Sequence, residues 1–415
     1  MITIASIGDM HWWKKNRWQE TLRIASWTIG DLTARKPDVI TVAGDIFETA
    51  AALEERNAFG EWLDAARAVA PVYGIYGNHD RDLEMELYNL IPGVHFSRSP
   101  EGFDVPGLAL RLEMLPWPRK ANLLASVEHA LAPEDTDALA VEHLRNVLTS
   151  MSRTHTFIGR VCAKVMVAHA MVRDSRTSVG QPVRGAELTI GLEDLALARC
   201  HAYLLGHIHM PQEWVVRSDD LEAPVIYTGS WRRTTYGETE DKGYVLMRLV
   251  HRGEHATPAK AWNVEWERIT TPCAAMHLFE ARWDGARFVD VVVDSGATHA
   301  TEPCIPTENA AGWEGAEIRF RYTVDADQRP AAKAAADRAK KLWLESGAAD
   351  VQFDPQTNPQ SRARMPEIAT EQTTAGKMRA LWRLRAEAPD PERQARLLEK
   401  LSSLEGGTNV DHGHG

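Results

Sequence analysis

The sequence predicts an α/β fold, and three observations carry that prediction. Short runs rich in Val, Ile, Leu and Ala recur at 2–11, 38–48, 71–80, 164–170 and 201–209, and a continuous apolar run of this length is what a buried parallel strand looks like. Stretches of helical composition separate them, such as 51–70, which returns the chain from the second run to the third. Each run also stops on or near Asp, Asn or His, and in open α/β sheets ligands gather at the carboxyl ends of the strands. If the runs are neighbours, Asp9, His11, Asp45, Asn78, His79, His169, His207 and His209 meet in one cleft.

In chain order, ITIASIGDMH delivers Asp9 and His11 and leads into HWWKKNRWQ, which crowds Trp12, Trp13, Lys14, Lys15, Arg17 and Trp18 beside them. Two readings stay open: aromatic and basic side chains that stack on bases and pair with phosphates, or a helix start whose tryptophans pack on the core while its charges face water. A helix-compatible stretch continues to about Arg35 and stops before Pro37. DVITVAGDIFE delivers Asp45 and Glu48, and PVYGIYGNHD delivers Asn78, His79 and Asp80. Residues 90–118 read as short strands and turns closing on LPWPRK, where Arg119 and Lys120 face substrate or solvent, and 121–150 reads as a covering helix pair. KVMVAHA ends on His169, a polar loop spans 173–188, a length commonly functional, and HAYLLGHIH carries His207 and His209.

A lone GNHD or GHIH arises by chance, and an isolated buried His is usually a hydrogen-bonded core residue. The ordered set is different, because independent coincidences multiply. Two carboxylates, an amide oxygen and several imidazoles suit divalent transition metals, whereas magnesium or calcium would draw mainly oxygen. With Asp9 and Asp45 ionised, two such cations keep about two positive charges, which attracts a phosphate ester and activates water.

The set DxH, GDxxE, GNHD, H, GHxH resembles the calcineurin-like metallophosphoesterase superfamily. The resemblance implies a β-sandwich flanked by helices, with Asp9, His11 and His209 holding one metal, Asn78, His169 and His207 the other, and Asp45 bridging both. It implies that His79 contacts the phosphate and helps the leaving oxygen depart. Asp80 is then the expected orienting partner of His79, a turn-capping role being the alternative. Glu48 is expected to orient substrate, to hold a neighbouring His, or to act as a ligand.

After the fifth run, Tyr227, Gly229, Ser230, Tyr236, Gly237, Glu238, Lys242 and Gly243 resemble the corresponding stretch of SbcD-type DNA repair nuclease subunits, with the LPWPRK turn and chain length in keeping. Trp231, Arg232 and Arg233 form a second basic and aromatic cluster, expected at a phosphate backbone or on a charged edge strand. The expected organisation is a nuclease domain at 1–270, a small α+β capping domain at 271–354, a linker at 355–368, C-terminal helices at 369–405 and a flexible tail at 406–415. On those helices, Met378, Leu381 and Trp382, with Leu397 and Leu401, make apolar stripes on segments too short to stand alone in water. The resemblance implies that an SbcC-type coiled-coil ATPase covers them; docking on the capping domain is the alternative.

Composition sets the outer bounds. A chain of 415 residues accommodates two or three domains, and 44% hydrophobic with 25% charged residues is ordinary for a soluble protein. No run reaches the roughly 18 apolar residues of a membrane span, so no membrane contact and a cytoplasmic location are expected. Cys162, Cys200, Cys273 and Cys304 form no CxxC pair and read as reduced structural thiols. A net charge of −11 argues against coating nucleic acid by bulk electrostatics, and with no P-loop any ATP dependence belongs to a partner. The resemblance implies manganese, 3′ to 5′ exonuclease and structure-dependent endonuclease activity on DNA, and a homodimer within a two-plus-two complex. Two rivals remain: a phosphoesterase acting on a small phosphate ester, cyclic nucleotide or phosphoprotein, and a non-catalytic DNA-end clamp.

Overall fold

A computed structural model describes residues 1–123, 133–153, 155–157, 160–179, 181, 188–218, 220–253, 256–294, 313–358, 371–384 and 389–406. Its centre is a pair of six-stranded sheets. The strands are β1 (Ile2–Ile7), β2 (Val39–Val42), β3 (Val72–Ile75), β4 (Val94–Ser97), β5 (Glu101–Asp104), β6 (Leu110–Leu115), β7 (Ala163–His169), β8 (Ala202–Gly206), β9 (Gln212–Ser218), β10 (Leu221–Tyr227), β11 (Gly243–His251) and β12 (Trp262–Thr270). One sheet runs β12-β11-β1-β2-β3-β4 and the other β9-β10-β8-β7-β6-β5. In each, four adjacent strands are parallel and antiparallel strands complete the sheet.

Side-chain alternation shows how the sheets are covered. Along β7, Ala163, Val165 and Val167 point into the core between the sheets, while Met166 and Ala168 point to the opposite face. Ile4 and Ala5 divide in the same way on β1. The outer face of the first sheet is buried by α1 (Trp18–Arg35) and α2 (Leu53–Val69), through Ile24, Leu32, Phe59 and Leu63. The outer face of the second is buried by α3 (Pro133–Ser150), through Ala140, Leu144 and Leu148. Both faces of each sheet are therefore apolar, which is why the strands read as unbroken apolar runs.

Past β12, a four-stranded sheet of Met276–Trp283, Phe288–Val293, Glu317–Val324 and Asp350–Thr357 packs on one helix, α4 (Arg329–Glu345), around Phe320 and Trp343. Its last strand continues to Thr357, because Tyr322 to Val324 pair with Pro355 to Thr357. The linker expected from 355 thus begins later, and 359–370 lie outside the described residues, as do 124–132 of the covering segment, 182–187 of the polar loop and the tail beyond 406. Two helices follow, Thr374–Leu384 and Pro391–Gly406. Trp382 is largely covered, contrary to its expected place on a partner surface, whereas Leu397 is exposed and Met378, Leu381 and Leu401 are half-buried. Among the described residues, no helix is long and apolar enough to cross a membrane.

Candidate metal centre

Asp9 and His11 follow β1, Asp45 follows β2, Asn78 and His79 follow β3, His169 ends β7, and His207 and His209 follow β8. Carboxyl ends of strands from both sheets thus bring these side chains together. Nε2 of His11 lies 2.9 Å from Nε2 of His209. Asn78 Oδ1 lies 3.0 Å from both His169 Nε2 and His207 Nδ1. Between the two groups, Asp45 Oδ2 stands 3.9 Å from His11 Nε2 and 3.3 Å from His169 Nε2. Two donor sets, Asp9–His11–His209 and Asp45–His169–His207, each lie close enough together to hold a cation.

The loops reach this geometry through unusual backbone. Asp9, His11, Asp45 and His207 have φ of 48, 45, 50 and 97°, a region that costs a non-glycine residue on the order of 1–3 kcal/mol. Hydrogen bonds across the loops hold it: Asp9 N donates to Gly44 O at 3.2 Å, His11 N to Asp45 O at 3.0 Å, and His207 N to Asp9 Oδ1 at 2.8 Å. Two motif glycines permit the close approach. A Cβ on Gly77 would lie 2.1 Å from Asp45 Oδ1, and one on Gly206 would lie 2.1 Å from the carbonyl oxygen of Ala43.

The donor chemistry fits a pair of divalent cations. Asp9 Oδ2 is buried with no hydrogen-bond partner, an arrangement that is costly unless a positive charge faces it. Burial lifts the Asp9 carboxyl to about 6, with the charge of Asp45 adding to the effect and His169 opposing it. Burial also opposes ionisation of Asp45, but His169 and His11 hold its carboxyl well below the usual range. Against burial, Asp45 raises His169 to about 9, while burial and the charge of His169 press His207 down to about 3. Carboxylates and imidazoles perturbed in opposite directions within one buried cluster are what a functional site looks like.

Glu48 Oε2 sits 2.8 Å from His11 Nδ1, on the side of the ring away from His209, so the carboxylate orients His11. Burial disfavours the His11 imidazolium, but the bond to Glu48 together with Asp45 and Asp9 raises it overall. His79 Nδ1 lies 2.6 Å from the main-chain oxygen of Glu48. The ring fills one wall of a groove of about 740 Å³ that also takes in Arg56, Arg81 and Arg119 and the acids Glu48, Asp80, Asp82 and Glu84.

Several expected site residues have other tasks. Asp80 does not orient His79; its carboxylate accepts from Ile46 N and Phe47 N at 2.9 and 3.3 Å and from Gly77 N at 2.8 Å, pinning the loops that carry Asp45 and Asn78. Trp231, Arg232 and Arg233 are buried, and neither phosphate contact nor an exposed edge strand is open to them. Trp231 Nε1 donates to Met10 O at 2.6 Å and Arg232 to His11 O at 3.1 Å. Arg233 satisfies the carbonyls of Glu238, Glu240 and Ala274. Arg17 ties the segment between β1 and α1 to the four-stranded domain through Glu317 at 2.6 Å, besides pairing with Glu20. Lys14 pairs with Glu54 on the surface and Lys15 is exposed. Trp12 packs against Trp18, Phe59 and Trp231, the core alternative for that cluster.

Three supporting groups have roles that the sequence did not assign. Gln181 clamps the GHIH turn, donating to His207 O at 2.6 Å and accepting from His209 N at 3.1 Å. Lys242, fully buried, reaches Glu238 at 2.6 Å, Glu240 at 2.9 Å and His209 O at 3.2 Å. Trp117 lies against the His207 ring at 4.6 Å between centroids. Glu238 and Lys242 stand in the stretch that resembles the SbcD-type subunits, Trp117 in the LPWPRK turn and Gln181 in the polar loop, but nothing local gives any of them a part in holding the histidines.

Residues 2–137 match the model of the calcineurin-like phosphoesterase family. Among solved structures, a Thermus thermophilus protein matches at 10% identity and a TM-score of 0.36, over 64% of this chain and 98% of that one. A dimetal phosphatase from Danio rerio matches at 13% identity and a TM-score of 0.34, over 59% of this chain and 92% of that one. No curated protein matches the sequence significantly. The matched segment contains Asp9, His11, Asp45, Asn78 and His79, and residues 2–137 are thus similar to calcineurin-like phosphoesterases in the part of the chain that supplies five of the clustered side chains.

Proposed function

We propose that the protein is a two-metal DNA phosphodiesterase, acting as a 3′ to 5′ exonuclease and structure-dependent endonuclease in DNA end processing with an SbcC-type ATPase. The observation that carries this reading is the continuity of the metal cluster, through Asn78 and His79, with a groove in which Arg56, Arg81 and Arg119 alternate with Glu48, Asp80, Asp82 and Glu84. A small phosphomonoester needs only the cluster, whereas a polynucleotide presents further phosphates beyond the reacting one, and Arg56, Arg81 and Arg119 supply cationic contacts for them.

Asp9, His11, Asp45 and His209 would hold one cation, and Asp45, Asn78, His169 and His207 the other, manganese being the expected ion. When bound, such a pair supplies Lewis acidity at the phosphoryl group and activates water for in-line attack. With Nδ1 donating to the Glu48 carbonyl, the ring of His79 is fixed in orientation. Its Nε2 is left to stabilise charge on the phosphoryl oxygens and, when protonated, to give a proton to the departing sugar oxygen. Glu48, with its carboxylate 2.8 Å from His11 Nδ1, would favour the ring orientation that turns Nε2 toward Asp45.

Exposed leucines support pairing with a second copy. Leu83, Leu87 and Leu90 are 87, 59 and 78% exposed on one short segment, which is joined to the start of α2 by Ala51 N donating to Glu84 and by Tyr88 hydroxyl donating to Arg56 O. Leu397 and the half-buried Leu401 are the corresponding candidates for the ATPase coiled coil.

The deciding experiment measures cleavage of end-labelled single-stranded and hairpin DNA with each divalent ion, with and without the ATPase, against hydrolysis of an aryl phosphate. DNA cleavage exceeding aryl phosphate hydrolysis supports the proposal. The reverse selects the small-ester reading, and a metal-loaded protein that cuts neither selects the clamp. His79→Ala should retain both metals and lose about 100-fold or more in rate, whereas Asp45→Ala should lose metal as well.

A further inference from the structure

We infer that the protein binds a small tetrahedral oxyanion, of the phosphate class, in a basic pocket at the opposite end of the second sheet from the metal centre. Lys164 lies near the start of β7 and His201 just before β8, while His169 and His207 stand at the other ends of the same strands. At about 3.3 Å per residue the two sites are about 17–20 Å apart. The pocket is therefore independent of the metal-centre reading.

Its walls include Arg111, Arg153, His155, Lys164, Arg199 and His201, and no carboxylate. Its volume of about 40 Å³ has room for about three waters, the bulk of one tetrahedral oxyanion. The central observation is Lys164. The side chain is 4% exposed, and its ammonium donates only to the carbonyl oxygens of Met151 at 2.5 Å and Arg153 at 3.2 Å. No carboxylate pairs with it among the described residues, and a buried ammonium without a counter-charge is costly. Two carbonyls use two of its three N–H groups, leaving one for a ligand.

The surrounding residues are set for the same task. Asp104 and Glu113 hold Arg111 at 3.2 and 2.7 Å, and Asp220 holds Arg199 at 2.7 Å, so acids outside the pocket fix the guanidinium groups that line it. His201 is committed on both nitrogens, Nδ1 accepting from Lys164 N at 3.0 Å and Nε2 donating to Pro258 O at 3.0 Å, and acts as a neutral wall. Burial, with the charge of Arg111 adding to it, lowers the Lys164 ammonium below its usual range, although Cys200 and Glu113 act the other way. An anion in the pocket would relieve that penalty and tie together the starts of β7 and β8.

Calorimetric titration of inorganic phosphate into chelator-treated full-length protein, at constant ionic strength set with chloride, tests the site. The expected result is one saturable site, retained in Asp45→Asn, weakened at least tenfold in the double variant Arg153→Gln/Arg199→Gln and lost in Lys164→Met. Competition by a nucleoside monophosphate would identify a phosphoester head group as the occupant, and its failure free phosphate; either upholds the site. Arg153 and Arg199 are exposed, so the double variant decides the matter even if Lys164→Met fails to fold. No saturable binding in the wild type, equal binding in the double variant, or loss of binding in Asp45→Asn would overturn the inference.

Discussion

Asp80→Asn separates two roles for a carboxylate next to the proposed acid, holding loops or tuning His79. Oδ1 accepts from Ile46 N and Phe47 N and Oδ2 from Gly77 N, so the native side chain uses both oxygens. An asparagine keeps one oxygen and turns an NH2 toward the other donor set. Hydrogen bonds to a charged acceptor contribute about 1.5–3 kcal/mol each, so losing one side and creating a donor–donor contact costs about 2–4 kcal/mol. The loops released are those that carry Asp45 and Asn78, and disturbing the groups that orient ligands commonly weakens metal binding about 10–100-fold. Urea unfolding of the chelator-treated variant measures the first effect, and calorimetric titration with manganese the second. The pH–rate profile of hydrolysis should keep its shape, because His79 Nδ1 is held by the main-chain oxygen of Glu48. Wild-type unfolding and metal affinity with a displaced pH–rate profile would refute this reasoning and restore Asp80 as the partner of His79.

Other consequences follow from the braces around the GHIH turn. Lys242→Met leaves the buried Glu238 and the half-buried Glu240 without their shared cation, and should cost about 3–5 kcal/mol in chemical unfolding. Burial raises the Glu240 carboxyl, yet Lys242 and Ser178 hold it below 4.5 overall; a depressed acid stabilises fully above its unfolded value and loses that contribution as pH falls through the folded one. Glu240→Gln should therefore be less stable at neutral pH and lose less stability than the wild type on acidification below about pH 4.5, as followed by thermal melts across pH. Gln181→Ala removes both bonds to the GHIH turn, about 1–3 kcal/mol together, and titration should show metal affinity reduced by about tenfold.

The features that could be read from the sequence were those whose physical cause is local. Strand β7 announces itself because both its faces are buried, Val165 and Val167 toward the other sheet and Met166 toward the covering helix. Asp9, Asn78 and His207 stand out because such donors seldom end apolar runs in this order. What could not be read depended on distant parts of the chain. Arg232 beside Trp231 looks like a phosphate contact, yet its acceptor is the His11 carbonyl, 221 positions away. Asp80 shows one local bond, to Gly77, but its other donors lie 33 and 34 residues back. A basic side chain looks the same in sequence whether its charge meets solvent, a phosphate or a carbonyl, and only the three-dimensional packing distinguishes them.

That packing also changes what the stretch after the GHIH turn is for. Tyr227 hydroxyl donates to Ala170 O and accepts from Val172 N, directly after His169. Trp231 and Arg232 bond the carbonyls of Met10 and His11, and Lys242 bonds that of His209. Each contact lands on main chain at or beside a proposed ligand, and Asp9 and His11 are among those in left-handed backbone. Strained conformations of this kind persist only where the surroundings over-determine them, and 227–242 supplies several of the necessary bonds from one segment. Tyr227 and Lys242, which resemble the SbcD-type stretch, and Trp231 and Arg232 between them therefore carry information about building the metal centre more than about choosing a substrate. Discrimination between DNA and a small phosphate ester must then reside in groups that touch what lies beyond the metals. Among the described residues, Arg56, Arg81 and Arg119 occupy that position beside His79, so charge removal there should depress DNA cleavage while sparing aryl phosphate hydrolysis.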